Sequence, residues 1–152
     1  MHVDADHAFY QVTRKSVTGI LLFVNSMSVK WYSKRQNTME TSTYGAELVA
    51  LRIAEETMME FSYKLRMMGV PIQGPSQVLC DNKSVVLNTS PPLSMLKNKH
   101  NTIASHRVWE AVAAQIVKVR HTDGKENIGE ILTKAADHPT FRKHLKAGLV
   151  SL

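Results

Sequence analysis

Four acidic residues stand where a fold could gather them: Asp4, Glu47, Asp81 and Glu130. Asp4 closes a short β-prone segment, and Asp81 follows the apolar run Gln77 to Cys80 (QVLC). Glu47 falls early in a long helical pattern, on the face that carries Leu51 and Ala54. Glu130 falls early in a helical pattern after the last predicted strand. A carboxylate on an apolar helix face costs free energy unless it is paired or bound to a cation. Carboxylates that meet at one point repel each other and need cations to neutralise them. An all-oxygen set of that kind suits Mg²⁺ or Mn²⁺. Spacing alone favours the plainer alternative, in which each acid is solvated or pairs with a nearby Lys or Arg.

The elements that must position these residues can be read from periodicity. Gly19 to Asn25 (GILLFVN) and Ser28 to Ser33 (SVKWYS), joined at Asn25-Ser26, predict a β-hairpin. A helix is predicted from about Tyr44 to Met68, with Leu48, Leu51, Met58, Phe61, Leu65 and Met68 at helical spacing. Thr41, Ser42 and Thr43 offer N-caps, and Gly69 with Pro71 ends it. A strand over Gln77 to Cys80 precedes a short helix, which Ser90-Pro91-Pro92 breaks. Then come a helix over Thr102 to Ala114, a strand over Ile116 to Arg120 and a polar loop from His121. Helices are predicted over Ile128 to Ala136 and from Pro139 to about Leu149. The order predicts an α/β domain with a mixed sheet, in which chemistry collects at the carboxyl ends of strands. The methionines and both tryptophans, Trp31 and Trp109, read as packing residues. Cys80 reads as strand core, because no helix N-terminus or basic partner is evident to activate its thiol.

Composition narrows the class. The 152 residues are 43% hydrophobic and 21% charged, which excludes a disordered tail, a collagen and a coiled coil. The longest apolar run, Ile20 to Val24, is far short of the ~20 residues a membrane span needs. MHVDADHAFY has no apolar signal region, and the single cysteine predicts a reducing, intracellular compartment. The net charge of +6 is uneven. Residues 1 to 96 hold nine basic and eight acidic side chains, whereas residues 97 to 152 hold ten and five. A basic C-terminal third points to a polyanionic partner such as nucleic acid, or to a solvated basic surface.

VDADHA, TRKSVTG, VKWYSKRQNTMETSTYGAELVAL, YKLRMMGVP, CDNKSVV and ILTK, in this order from Val3 to Lys134, resemble the ribonuclease H domain of copia-type LTR retrotransposons. In those elements the domain closes the polyprotein, after integrase and reverse transcriptase. The resemblance implies a ribonuclease H-like fold, a five-stranded mixed sheet flanked by helices, as a single domain over 1–152 with a C-terminal helix at 139–150. The first strand would be clipped, since only Met1 to Val3 precede Asp4, and the chain would be a polyprotein fragment, a mis-set start or a decayed copy. The resemblance also implies an Asp-Glu-Asp-Asp site that binds two Mg²⁺ ions, with Mn²⁺ as a substitute. The family's first three acids fall on Asp4, Glu47 and Asp81. Its last Asp, in N-x-A-D-x-x-T-K, falls on Glu130, and the preceding Ala is Gly129. Glu keeps the charge, but its extra methylene displaces the carboxylate, and Mg²⁺ demands near-octahedral geometry.

The activity implied is two-metal hydrolysis of the RNA strand of RNA–DNA hybrids, with ions ~3.5–4 Å apart. His121 corresponds to a histidine that assists proton transfer or product release in cellular ribonucleases H, or is a solvated loop residue. Asp6 is placed in the loop after the first strand. Lys34, Arg35 and Gln36, before the long helix, and Lys97, Lys99 and His100, after the prolines, are candidate phosphate contacts or solvated surface residues. The partners implied are an RNA–DNA hybrid and a reverse transcriptase in cis or in trans, with no membrane. A cytoplasmic virus-like particle and the nucleus are not distinguished. The competing readings are a catalytically impaired, decayed or host-adopted copy that serves as a nucleic-acid-binding or structural module, and a different enzyme on the same fold, such as an integrase-like strand transferase, against which the long helix with its early Glu47 speaks.

Overall fold

The structure is a computed structural model that describes residues 1–8, 12–89, 99–134, 139 and 141–143. Five strands form one sheet: β1 (His2–Asp6), β2 (Val17–Val24), β3 (Met27–Arg35), β4 (Ser76–Cys80) and β5 (Val117–His121). Their spatial order is β3-β2-β1-β4-β5. The β1–β2 and β2–β3 pairs are antiparallel, and β1–β4 and β4–β5 are parallel, which makes the sheet mixed as expected. Asn25 and Ser26 form the predicted two-residue turn, with Asn25 at φ 54°. Such a left-handed residue matches the twist of a tight hairpin.

Helix α1 (Thr43–Met67) starts where the Ser42 side chain accepts from the Gly45 amide at 3.1 Å. Its residues from Gly45 to Met58 supply most of the buried face. Beyond Met58 the apolar pattern continues without full cover: Phe61 and Leu65 are half-buried, and Met68 is exposed. Gly69, at φ +77°, closes the helix where the sequence ends it. Helices α2 (Lys83–Leu87) and α3 (Lys99–Ala113) follow β4, and α3 packs against α1. The core lies between the sheet and these helices and holds Val3, Ile20, Leu22, Leu51, Val78, Val108 and Val117.

Several local expectations are corrected. β1 runs through Asp4 to Asp6, so Asp4 sits mid-strand and Asp6 belongs to the strand rather than to a loop. Val17 and Thr18 of β2 pair with Asp6 and Ala5 and carry the ladder past Asp4. His121 is the last residue of β5, paired with Cys80, and not a loop residue. Of the segment expected as a helix over Ile128 to Ala136, Ile128–Leu132 form a 3-10 helix pressed onto β1, and residues 135 and 136 lie outside the described residues. A Cβ at Gly129 would lie 3.2 Å from the Asp4 amide nitrogen, so backbone meets backbone there. Trp31 is 72% exposed on the edge strand β3, and Met27, Met39, Met59, Met67 and Met68 are exposed rather than core filler. Trp109 is half-buried and donates to the Asn88 carbonyl at 2.6 Å. Residues 139 and 141–143 are helical, and the remainder of the expected 139–150 helix lies outside the described residues.

Gly19 opposes Asp4 across the β1–β2 ladder and lies under the 3-10 helix. A Cβ at Gly19 would stand 2.7 Å from the Gly129 carbonyl oxygen and 2.9 Å from Leu132 Cβ. Overpacking of this kind costs about 1–3 kcal/mol. Gly19→Ala should therefore lower the urea midpoint with an unchanged slope, and should displace the segment that carries Glu130. An unaltered midpoint would mean that the 3-10 helix does not bear on β2.

Candidate active site

β1, α1, β4 and the Ile128–Leu132 segment meet at one end of the sheet. β1 delivers Asp4, which is 1% exposed. Its carboxylate accepts from the Thr133 hydroxyl, whose Oγ1 also lies 3.1 Å from the Glu130 carbonyl oxygen, a second acceptor for the same proton. Asn127, fully buried, donates its side-chain amide to the Val3 carbonyl at 2.8 Å and accepts from the Gly129 amide at 3.2 Å. That pair of bonds ties the segment to β1 beside Asp4. Glu47, near the start of α1 and 4% exposed, accepts from the Ala5 amide at 3.3 Å. The Cys80 thiol lies 3.9 Å from Glu47 Oε2 and donates toward it. Asp81 follows β4 directly. Glu47, Cys80 and Asp81 bring ligand atoms within 4.8 Å of one another.

Asp4, Asp6, His7, Glu47, Asp81 and Lys134 are among the residues that line one open cleft of about 590 Å³. Glu130 is not among them. It is half-buried and forms an ion pair with Lys134 at 3.2 Å. It still acts on the group, since its charge raises the pKa values of Asp4 and Asp81.

The electrostatics are those of carboxylates short of cations. Burial, then the charges of Asp4 and Asp81, push Glu47 up to about 9. Burial raises Asp4, against the Thr133 hydrogen bond and the Lys134 charge. Burial also raises Asp81. For Lys134, burial disfavours the charged amine, but Asp4 and Glu130 outweigh it and the pKa rises. Burial and the neighbouring Glu47 hold the Cys80 thiol well above its ordinary range. It is a neutral core group and not a nucleophile.

His121 is exposed, and its Nε2 lies 3.1 Å from the Asp81 carbonyl oxygen. Lys34 and Arg35 are exposed at the end of β3, whereas Gln36 is buried, donates to Thr18 Oγ1 at 3.0 Å and to the Ala46 carbonyl at 2.9 Å, and is no phosphate contact. Through β2, Lys34 and Arg35 stand in the same cross-strand rows as Ala5 and Asp6, at the cleft's end of the sheet. Lys97 and the side chains of Lys99 and His100 lie outside the described residues.

Sequence reasoning did not single out Asp6, Asn127, Thr133 or Lys134 for the site. Asp6 follows Asp4 by two, the strand period that puts both on one face. Thr133 and Lys134 follow Glu130 by three and four, the spacing that brings side chains back over one turn.

This arrangement defines a ribonuclease H fold. The chain superposes on a ribonuclease H1 isolated from compost by a metagenomic approach with TM-score 0.62 and 16% identity, over 94% of each chain. It matches ribonuclease H1 of Halobacterium salinarum with TM-score 0.62 and 14% identity, over 86% of this chain and 90% of that one. Its sequence relatives are retrovirus-related Pol polyproteins of plant transposons. The chain is 29% identical over 140 residues to that of transposon TNT 1-94 of Nicotiana tabacum, covering 92% of this chain and 10% of the polyprotein. It is 23% identical over 139 residues to that of transposon RE1 of Arabidopsis thaliana, covering 91% of this chain and 10% of the polyprotein. The chain thus spans about a tenth of the length of the curated relatives it matches. No family model matches the chain. The chain thus has a ribonuclease H fold and is similar in sequence to a stretch of retrovirus-related Pol polyproteins from plant transposons. Among the described residues, no helix is long and apolar enough to cross a membrane.

Proposed function

We propose that the chain hydrolyses the RNA strand of RNA–DNA hybrids, with Asp4, Glu47, Asp81 and Glu130 as ligands of two Mg²⁺ ions. The supporting observation is the gathering of buried Asp4 and Glu47 with Asp81 in one cleft, each with a raised pKa. Such a group fits hard divalent cations, which would replace the missing positive charge. Cys80 suits them poorly, because a soft sulfur is a weak ligand for a hard cation. Bound ions supply Lewis acidity at the scissile phosphate and an acidified water.

The protein's own groups do the positioning. Thr133 and Asn127 fix Asp4 and the segment beside it. The Ala5 amide orients Glu47. Glu130 joins the ligand set by giving up Lys134, whose amine then faces the phosphate backbone. His121 stands beside Asp81, where it can pass a proton at the mouth of the cleft. The hybrid is read by shape and 2′-hydroxyls, with Lys34 and Arg35 on phosphates. Lys97, Lys99 and His100 extend that contact, and a reverse transcriptase in the same polyprotein supplies the hybrid. The test is cleavage of a labelled hybrid against single-stranded RNA and duplex DNA, with and without chelator. Chelator-sensitive cleavage confined to the RNA of the hybrid is expected.

The ion pair between Glu130 and Lys134 favours a second reading, a binding module in which Lys134 replaces metal permanently. In either case, phosphate binding by Lys97 and Lys99 carries a salt signature. Lys97→Ala with Lys99→Ala should lower the slope of log K against log salt by about 0.9 for each phosphate that is no longer neutralised. The change should be equal across hybrid sequences, because phosphates carry no base information. An unchanged slope would assign both lysines to the solvated surface.

A further inference from the structure

Besides Asp4 and Glu47, the buried carboxylates among the described residues are Glu40 and Glu55, and Glu55 lines a cavity of its own away from the cleft. Glu55 follows Glu47 by eight residues on α1, ~12 Å further along the helix axis. It is 3% exposed and, among the described residues, has no hydrogen-bond or ion-pair partner. It lines a cavity of about 330 Å³ between α1 and α3. The other charged lining groups are Glu56, Glu110 and Arg107. Glu56 is engaged by Arg52 at 2.7 Å, and Glu110 by Arg107 at 3.8 Å. Among the described residues, Glu55 is the lining carboxylate without an ion pair, and Arg107 and Arg52 act on it only through their charge. Met59, Ala111 and Ile116 give the cavity apolar walls.

The lining holds three carboxylates and one guanidinium, so it selects a cation. A divalent metal is disfavoured, because it needs several converging oxygens. Among the described residues, only Glu47, Cys80 and Asp81 bring three such ligand atoms within 4.8 Å of one another. One buried carboxylate with apolar walls instead matches a singly charged head on an aliphatic stem. We propose that this cavity binds an alkylammonium group, with the amine on Glu55 and the methylenes along Met59, Ala111 and Ile116. Two sources share that chemistry, a lysine side chain and a free polyamine.

Burial, with a smaller push from Glu56, raises Glu55 to about 7, against Arg107 and Arg52, while Glu110 adds to the rise. An ammonium group seated on Glu55 favours its charged form and lowers that value. The test uses the whole chain without nucleic acid or divalent metal. Nα-acetyl-lysine amide and spermidine are titrated while the Glu55 carboxyl is followed by ¹³C NMR and unfolding by its Tm. The midpoint of Glu55 should fall by about one unit or more with at least one amine, and Tm should rise by several degrees at pH 7. The amine effective at lower concentration identifies the source. Glu55→Gln keeps the shape and removes the charge, so the Tm response to amine should vanish in it. A Glu55 midpoint insensitive to both amines would overturn the proposal. So would Mg²⁺ moving it where the amines do not, or a full Tm response in Glu55→Gln. None of these readings involves hydrolysis, so the proposal stands or falls apart from the nuclease activity.

Discussion

Asp4→Asn should reduce metal-dependent cleavage of a hybrid by at least ~10³-fold, the upper end of the loss for one electrostatic group in an active site. The effect should be large because Asp4 lies centrally among the acids. It faces Thr133 and Lys134 and is coupled to Glu47, Asp81 and Glu130. The fold should tolerate the change. An asparagine oxygen still accepts from Thr133, and a buried charge is removed. Circular dichroism should match wild type, and in chelator the urea midpoint should be no lower, while cleavage is lost. Cleavage that survives the substitution would place the metal-binding group elsewhere.

The second large effect is on stability in metal-free protein. Glu47 has a folded pKa of about 9 against an ordinary 4.5. The folded state therefore binds its proton more tightly than the unfolded state. The stability this contributes is fully present below the unfolded pKa and is lost as pH rises through the folded pKa. Between those limits the loss approaches ~1.4 kcal/mol per pH unit. Glu47→Gln removes the titration and keeps an acceptor for the Ala5 amide. In chelator at pH 8 it should be more stable than wild type by roughly a few kcal/mol. Near pH 4.5 the two should converge. Mg²⁺ should reverse the order at pH 8, because it binds the folded wild type and stabilises it. Urea midpoints at pH 5, 7 and 8, with and without Mg²⁺, check this. Parallel pH curves for the two proteins would mean that Glu47 does not share a site with Asp4 and Asp81.

Much of this centre was legible in the residues, and the misses have physical causes. The order of motifs from Val3 to Lys134 located Asp4, Glu47 and Asp81, and the structure places all three at the cleft. Strand and helix periods also placed the hairpin, α1 and the order of the elements. Asp6 escaped because the β-prone run was ended at Asp4, while pairing with Val17 carries the ladder two residues further. Helical spacing after Ile128 suggested a longer helix. Backbone packing at Gly129, with Asn127 bonded across to Val3, holds the segment as a short 3-10 helix instead. No local pattern encodes a hydrogen bond that spans 124 residues of sequence. Trp31 reads as a packing residue by type, but β3 is an edge strand and leaves it exposed. The position of Glu130 was legible from its motif. Its engagement by Lys134 was not, because one carboxylate can turn either to the cleft or to a neighbour one turn on.

That engagement is where the two functional readings part. In the catalytic reading Lys134 yields Glu130 to the metal ions, and the longer side chain leaves an imperfect ligand. In the binding-module reading it does not yield. The most direct measurement is the initial rate of RNA cleavage in a labelled RNA–DNA hybrid by wild type and by Glu130→Asp, each in Mg²⁺, Mn²⁺ and chelator. A two-metal centre predicts cleavage by wild type in at least one metal, none in chelator, and a faster rate in Mg²⁺ for Glu130→Asp. Folded protein that cleaves with neither metal, and is not rescued by Glu130→Asp, would contradict it.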